Sequence, residues 1–208
     1  MEASRAASQQ ATWDFAEGHW ARVADIPVTL EDAARGFVSR QEFTSENPLT
    51  LNLTNGVDTT MEQVKAFFAQ YAEQAPIGED NLTVTKLEED GDVQIAHHHM
   101  KTPFPMSNRS MIVGYYKKDH DDGSFSFMVS SRGNEEMCEK YQSIIGKDVV
   151  GVLENIIHFT PGDEGKVTIK QCIIVDAGGS IPDMLKKKML TRNQAVVDRL
   201  VEKIKAMK

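Results

Sequence analysis

The sequence predicts an α+β domain in which a curved antiparallel β-sheet of about eight to nine strands is covered by a long C-terminal α-helix. Three observations predict the sheet and its helix. Three pairs of strand-like segments flank short, acidic, glycine-containing turns, the pattern of consecutive hairpins. A capped amphipathic segment follows Val57 and interrupts the strands. Apolar residues then recur every three or four positions from Ile181 to Lys205, the period of a helix with one buried face. Hairpins pair antiparallel, whereas parallel strands need long crossovers between them.

In chain order, Trp13, Ala16, Trp20 and Val23 stand at helix-like spacing between Arg5 and Ala24. Gly36–Phe43 and Leu49–Val57 read as strands; in the second, Leu49, Leu51 and Leu53 alternate with Thr50, Asn52 and Thr54. Thr59 and Glu62 have the spacing of a capping box, in which each side chain bonds the other's backbone N–H. Val64, Phe67, Phe68 and Tyr71 form the apolar stripe of that helix, and Pro76-Ile-Gly78 ends it.

The first hairpin joins Leu82–Leu87 to Val93–Met100 through residues 88–92. The second joins Met111–Lys117 to Phe125–Ser131 through 119–123, and the third joins Val149–Phe159 to Val167–Asp176 through 160–165. Between the first two, Pro103 and Pro105 preclude regular pairing, so residues 101–106 should loop out and expose Phe104 and Met106. In the final helix Leu185, Met189, Val196, Leu200, Ile204 and Met207 make the apolar stripe, with Lys and Arg between them.

A chain of 208 residues can bury one sizeable core, and no linker divides it, so residues 1–208 read as a single domain. Hydrophobic content of 40% and charged content of 26% fall in the ordinary globular range, so disorder is not the default reading. The net charge of −8 argues against nucleic acid as a partner, since its binding relies on Lys and Arg neutralising phosphates. From Ser180 to Lys208, eight basic residues face three acidic ones; that segment is +5 and the remainder −13. Such a basic segment suits an anionic membrane surface, or simply a solvated helix face. Cys138 and Cys172 are too few for a disulfide framework, the N-terminus has no signal-peptide pattern, and no run approaches a membrane span. The expectation is a soluble, monomeric, cytoplasmic protein.

Two local patterns carry a resemblance. Asp176-Ala-Gly-Gly179-Ser-Ile-Pro182 leads into the last helix. Its glycines permit a tight turn at positive φ, Ser180 can cap, and Pro182 suits a first helical turn. It is similar to the D-x-x-G-x-[ILW]-P pattern of the START (StAR-related lipid transfer) family. Ser107-Asn-Arg109-Ser-Met-Ile-Val113 resembles that family's P-R-D-F-V strand start, with Arg109 retained. The element order likewise resembles the wider Bet v 1-like helix-grip superfamily. The match spans Thr59 to Lys208; residues before it agree in element order alone.

The resemblance implies a non-enzymatic carrier that holds one amphipathic lipid between sheet and final helix and exchanges it with membranes. Suitable lining is Arg109, Met111, Val113 and Tyr115 on one strand, Phe125 and Phe127 on the next, and Met184, Leu185 and Met189 on the helix. Phe104, Met106, Gly178 and Gly179 would form the gate, with the 101–106 loop and the basic helix meeting the membrane. No cofactor is implied.

This chain departs from the family at two points. Members with sterol or phospholipid ligands often bury an acidic and a basic residue. Here those positions fall in the His97-His98-His99 run and near Tyr115, and Gly151 stands where the family's V-R-A strand has Arg. Alignment favours His98 as the polar contact inside; alternation from Val93 and Ile95 instead points His97 and His99 inward, and alternation is followed, so His97 and His99 join the expected lining. His97 and His99 share a strand face and can in principle ligate zinc, with His120 or His158 as third ligand, but a lining role is favoured over a metal site.

Two other function classes are weighed. A helix-grip enzyme of cyclase or hydroxylase type would use His97, His99 and Tyr115, although the sequence has no G-x-S-x-G, H-E-x-x-H or nucleotide-binding glycine motif. A protein-interaction module without a lipid is the other.

Overall fold

The computed structural model describes residues 37–40, 49–57, 59–70, 81–90, 93–131, 135–162, 166–179, 199–200 and 202–206. Nine strands form one sheet: β1 Phe37–Arg40, β2 Leu49–Val57, β3 Leu82–Asp90, β4 Val93–Met100, β5 Arg109–Asp119, β6 Phe125–Ser130, β7 Val149–Val150, β8 Val152–Pro161 and β9 Val167–Asp176. Edge to edge the order is β1-β2-β9-β8-β6-β5-β4-β3. Every pairing is antiparallel except that β7 lies parallel to the start of β5, with Arg109 opposite Val149. The three expected hairpins are present. Asp90 faces Val93, Asp119 faces Phe125, and Pro161 faces Val167 across their turns. In the second turn Gly123 takes φ 80°, which its missing Cβ permits.

Helix α1, Met61–Ala69, crosses between β2 and β3. Its capping box is built one residue later than the sequence suggests. Thr60 accepts from the Gln63 backbone N–H, while Gln63 Oε1 accepts from the Thr60 N–H. Gln serves the box as Glu does, and this frame turns Val64, Phe67 and Phe68 onto the sheet.

One face of the sheet, called inner here, carries a continuous apolar cluster. Ala96, Met111, Val113, Tyr115, Phe125, Phe127, Val129, Ile157, Phe159, Val167 and Ile169 pack with α1 and with Leu200 and Ile204. Leu200 and Ile204 belong to the helical residues 199–200 and 202–205. The terminal apolar stripe thus meets the inner face at its last turns. The rest of the expected Ile181–Lys205 helix lies outside the described residues, as do the helix expected at Arg5–Ala24, Tyr71, and the stop at Pro76–Gly78.

The opposite face is buried in part. Two short helices, α2 Glu135–Lys140 and α3 Gln142–Ile145, pack on it around Ile95 and Ile112. Ile145 sits against Ile95 and Ile112, with Met137, Cys138, Tyr141 and Leu87 around them. Tyr116, Met128 and Ile156 form a second patch there. The middle strand β6 is therefore buried along its whole length. Gly151, between β7 and β8, admits no side chain without a shift: a Cβ there would lie 3.0 Å from the Asp176 carbonyl oxygen. An arginine there, as in the related pattern, would need the Asp176 backbone to give way by a few tenths of an ångström.

Candidate functional site

Tyr115 lies at the centre of the inner face. Its ring stacks on Phe127 with centroids 6.0 Å apart, and its hydroxyl is 2.6 Å from His98 Nε2. Both partners are buried, and burial pushes the His98 imidazole down to about 4, with nearby His97 acting in the same direction. His98 is therefore neutral at physiological pH. The pair offers hydrogen bonding without charge.

His97 and His99 point the other way, a correction to the inward orientation that alternation suggested. His97 Nε2 is 2.9 Å from Ser110 Oγ, which donates to Asp148 Oδ2 at 2.8 Å; His99 Nε2 is 3.2 Å from the same carboxylate. Alternation does group Ile95, His97 and His99 on one face, but that face meets α3, not the inner cluster. Burial lowers the His97 pKa, His99 lowers it further, and Asp148 opposes both. The His97, His99 and Tyr115 constellation of an enzymatic reading is consequently split between two faces.

His120 and His158 form a separate group bridged by Ser126, with Nε2···Oγ 2.8 Å and Oγ···Nδ1 2.9 Å. Among the described residues no group of three or more His, Cys, Asp or Glu is placed to hold a metal ion.

Met111, Val113, Phe125 and Phe127 join Tyr115 in the inner cluster. Arg109 is buried where β5 meets the chain after β9. Its Nε donates to the Ala177 carbonyl at 3.1 Å and its Nη2 to the Gly178 carbonyl at 3.3 Å, while Nη1 donates to the Ser107 carbonyl. Its planar fork is suited to several acceptors at once. Gly178 and Gly179 both have φ 64°. A Cβ on Gly178 would lie 2.8 Å from the Val150 carbonyl oxygen and from Val149 Cγ1, so this turn is closed to larger residues. Met184, Leu185 and Met189 lie outside the described residues.

The 101–108 loop is tied down at its base and bare at its tip. Thr102 Oγ1 donates to the Met106 and Ser107 carbonyls at 3.1 and 2.7 Å, and Lys101 N–H to the Asn81 carbonyl at 2.8 Å. Phe104 is 96% exposed, the largest apolar exposure among the described residues, while Met106 is half-buried.

Sequence reasoning did not single out Asn155 and Gln171, which also lie on the inner face. Their signal is an amide continuing an apolar row, Gln171 after Val167 and Ile169 and Asn155 before Ile157 and Phe159.

No protein-family model matches this sequence, and no curated protein does. Solved structures do share its fold. Human StAR-related lipid transfer protein 5 superposes with a TM-score of 0.64 at 12% identity, over 97% of this chain and 98% of that one. The lipid transfer and protein localization domain of human StarD13 gives 0.56 at 16%, over 84% and 94%. A STAR-related lipid transfer protein from Xanthomonas axonopodis gives 0.55 at 14%, over 82% and 99%. At such identities the likeness is one of fold alone: α+β, with an antiparallel sheet of many strands and helices.

Proposed function

We propose that residues 1–208 form one START-type domain, a non-catalytic, monomeric, cytoplasmic carrier that binds an amphipathic lipid and exchanges it with membranes. In this reading the sheet is curved, residues 181–205 form one helix across its inner face, and an apolar cavity lies between them. The observation that carries it is the inner face itself. An extended aromatic and aliphatic surface, met by Leu200 and Ile204, holds an uncharged His98–Tyr115 pair in its midst. The lipid transfer proteins that share the fold support it.

Enclosing a lipid tail gains about 0.8 kcal/mol for each CH₂ removed from water, so extraction needs no covalent chemistry. Arg109 anchors the chain at Ala177 and Gly178, and the two glycines next to that anchor form the hinge on which the helix opens. Met184, Leu185 and Met189 complete the lining from the helix. Phe104 and the basic residues of the terminal segment contact the bilayer, Phe104 by entering its apolar region and the lysines by facing anionic headgroups.

Transfer of a fluorescent lipid between vesicles of phosphatidylcholine with one-fifth phosphatidylserine tests this. The wild-type protein is expected to accelerate transfer, and Phe104→Asp to slow it by about tenfold, as expected from removing one inserted aromatic side chain. Rates unchanged in Phe104→Asp would remove the loop from the mechanism. No acceleration by the wild type would remove the carrier function.

A further inference from the structure

The inner face carries a second polar pair, on the neighbouring strands β8 and β9. Gln171 is 3% exposed and stands in the row of Val167 and Ile169, opposite Ile157 in register. Its Nε2 donates to Asn155 Oδ1 at 2.8 Å. Its Oε1 is buried and accepts no hydrogen bond from the described residues. Buried polar atoms are nearly always paired, because an unpaired one forfeits its hydration with no return. Packing alone gives no reason for an amide here, since an aliphatic residue would continue the row.

The position of the pair suggests a ligand. Tyr115, Val129 and Asn155 face one another in register across β5, β6 and β8. The His98–Tyr115 and Asn155–Gln171 pairs therefore flank Val129 in one band, about two strand spacings or roughly 10 Å across. Among the described residues the band has no free cation. Arg109, the buried cation on this face among the described residues, gives its guanidinium to three main-chain carbonyls. A phosphate headgroup would find no counter-charge among the described residues of the band.

We propose that Gln171 Oε1 is the acceptor for a hydroxyl or amide N–H of the ligand, so that the cargo is a neutral, donor-bearing lipid and not a phospholipid. This rests on the carrier reading above and adds its ligand class. The donor supplies the bond that Gln171 lacks, and the Asn155 amide holds the glutamine side chain in place. A lipid without a donor leaves Oε1 as it is.

The test loads the full-length protein from phosphatidylcholine vesicles containing equal fractions of ceramide, diacylglycerol, the O-methyl ether of that diacylglycerol, and phosphatidylserine. The protein is re-isolated and its lipid identified by mass spectrometry. Diacylglycerol and ceramide are expected to exceed the methyl ether by about tenfold, the discrimination usual when a buried polar group loses its partner. Gln171→Met is expected to abolish that preference while retaining the ether at the wild-type level. Equal loading of ether and alcohol by the wild type, or preferential loading of a phospholipid, would overturn the inference and leave the carrier intact. A wild-type protein that loads no lipid overturns both. The ether comparison uses wild-type protein alone, so it decides even if the variant fails to fold.

Discussion

Replacing Phe68 with alanine is expected to lower the stability of the fold by about 4 kcal/mol, the usual range for removing a fully buried aromatic ring. Phe68 is wholly buried and joins α1 to two neighbouring strands, β6 and β8, at once. Its ring centroid lies 4.3 Å from Phe127, 5.2 Å from Phe159 and 6.1 Å from Phe125, and Phe67 meets it edge-on at 5.1 Å. Truncation removes the transfer free energy of the ring and leaves a hollow that rigid strands on the far side cannot fill. Phe68→Leu keeps most of the volume and should cost less than half as much. The urea midpoint of each variant, read with the m-value, measures the loss. A loss below about 1 kcal/mol for Phe68→Ala would mean that α1 is not docked on the inner face as described.

Acid should destabilise the protein through His98. An unfolded imidazole titrates near 6.5, whereas the folded one is pushed down to about 4 by burial. Below pH 6.5 the unfolded chain takes up a proton that the folded chain refuses. The contribution is therefore complete above pH 6.5, is lost as pH falls, and is exhausted near pH 4. Its size is about 3 kcal/mol. His97 and His158, lowered chiefly by their own burial, act in the same direction. Urea midpoints at pH 7 and pH 4.5 should differ strongly in the wild type and less in His98→Gln, whose amide can still meet the Tyr115 hydroxyl. Equal pH dependence in the two proteins would contradict the buried, neutral state of His98.

The hairpins were legible because their information is local. Acidic, glycine-bearing turns and period-two alternation specify a pair of strands without reference to anything distant. The early strand Leu49–Val57 was legible for the same reason, to the residue. The outer helices were not. With six and four residues they are too short to show a periodic stripe, although Met137, Tyr141 and Ile145 stand four apart on one face.

The histidines illustrate a second kind of limit. Alternation groups Ile95, His97 and His99 correctly, but it does not say which face of the sheet meets the core. That depends on α3, whose Ile145 covers Ile95 from the outer side. His98, on the remaining side, pairs with Tyr115. Gln171 was hidden because a polar residue in a strand reads as exposed until its register with Ile157 is known. Arg109 stood out through the resemblance alone; its acceptors at Ala177 and Gly178 are 68 and 69 residues away, beyond any local pattern.

Native mass spectrometry of the protein purified from cells, without added lipid, tests the central claim most directly. The account predicts a population carrying a single non-covalent adduct with the mass of a neutral lipid, released on gentle activation to leave the bare chain. A homogeneous bare chain, unchanged after incubation with vesicles of mixed lipids, would contradict it.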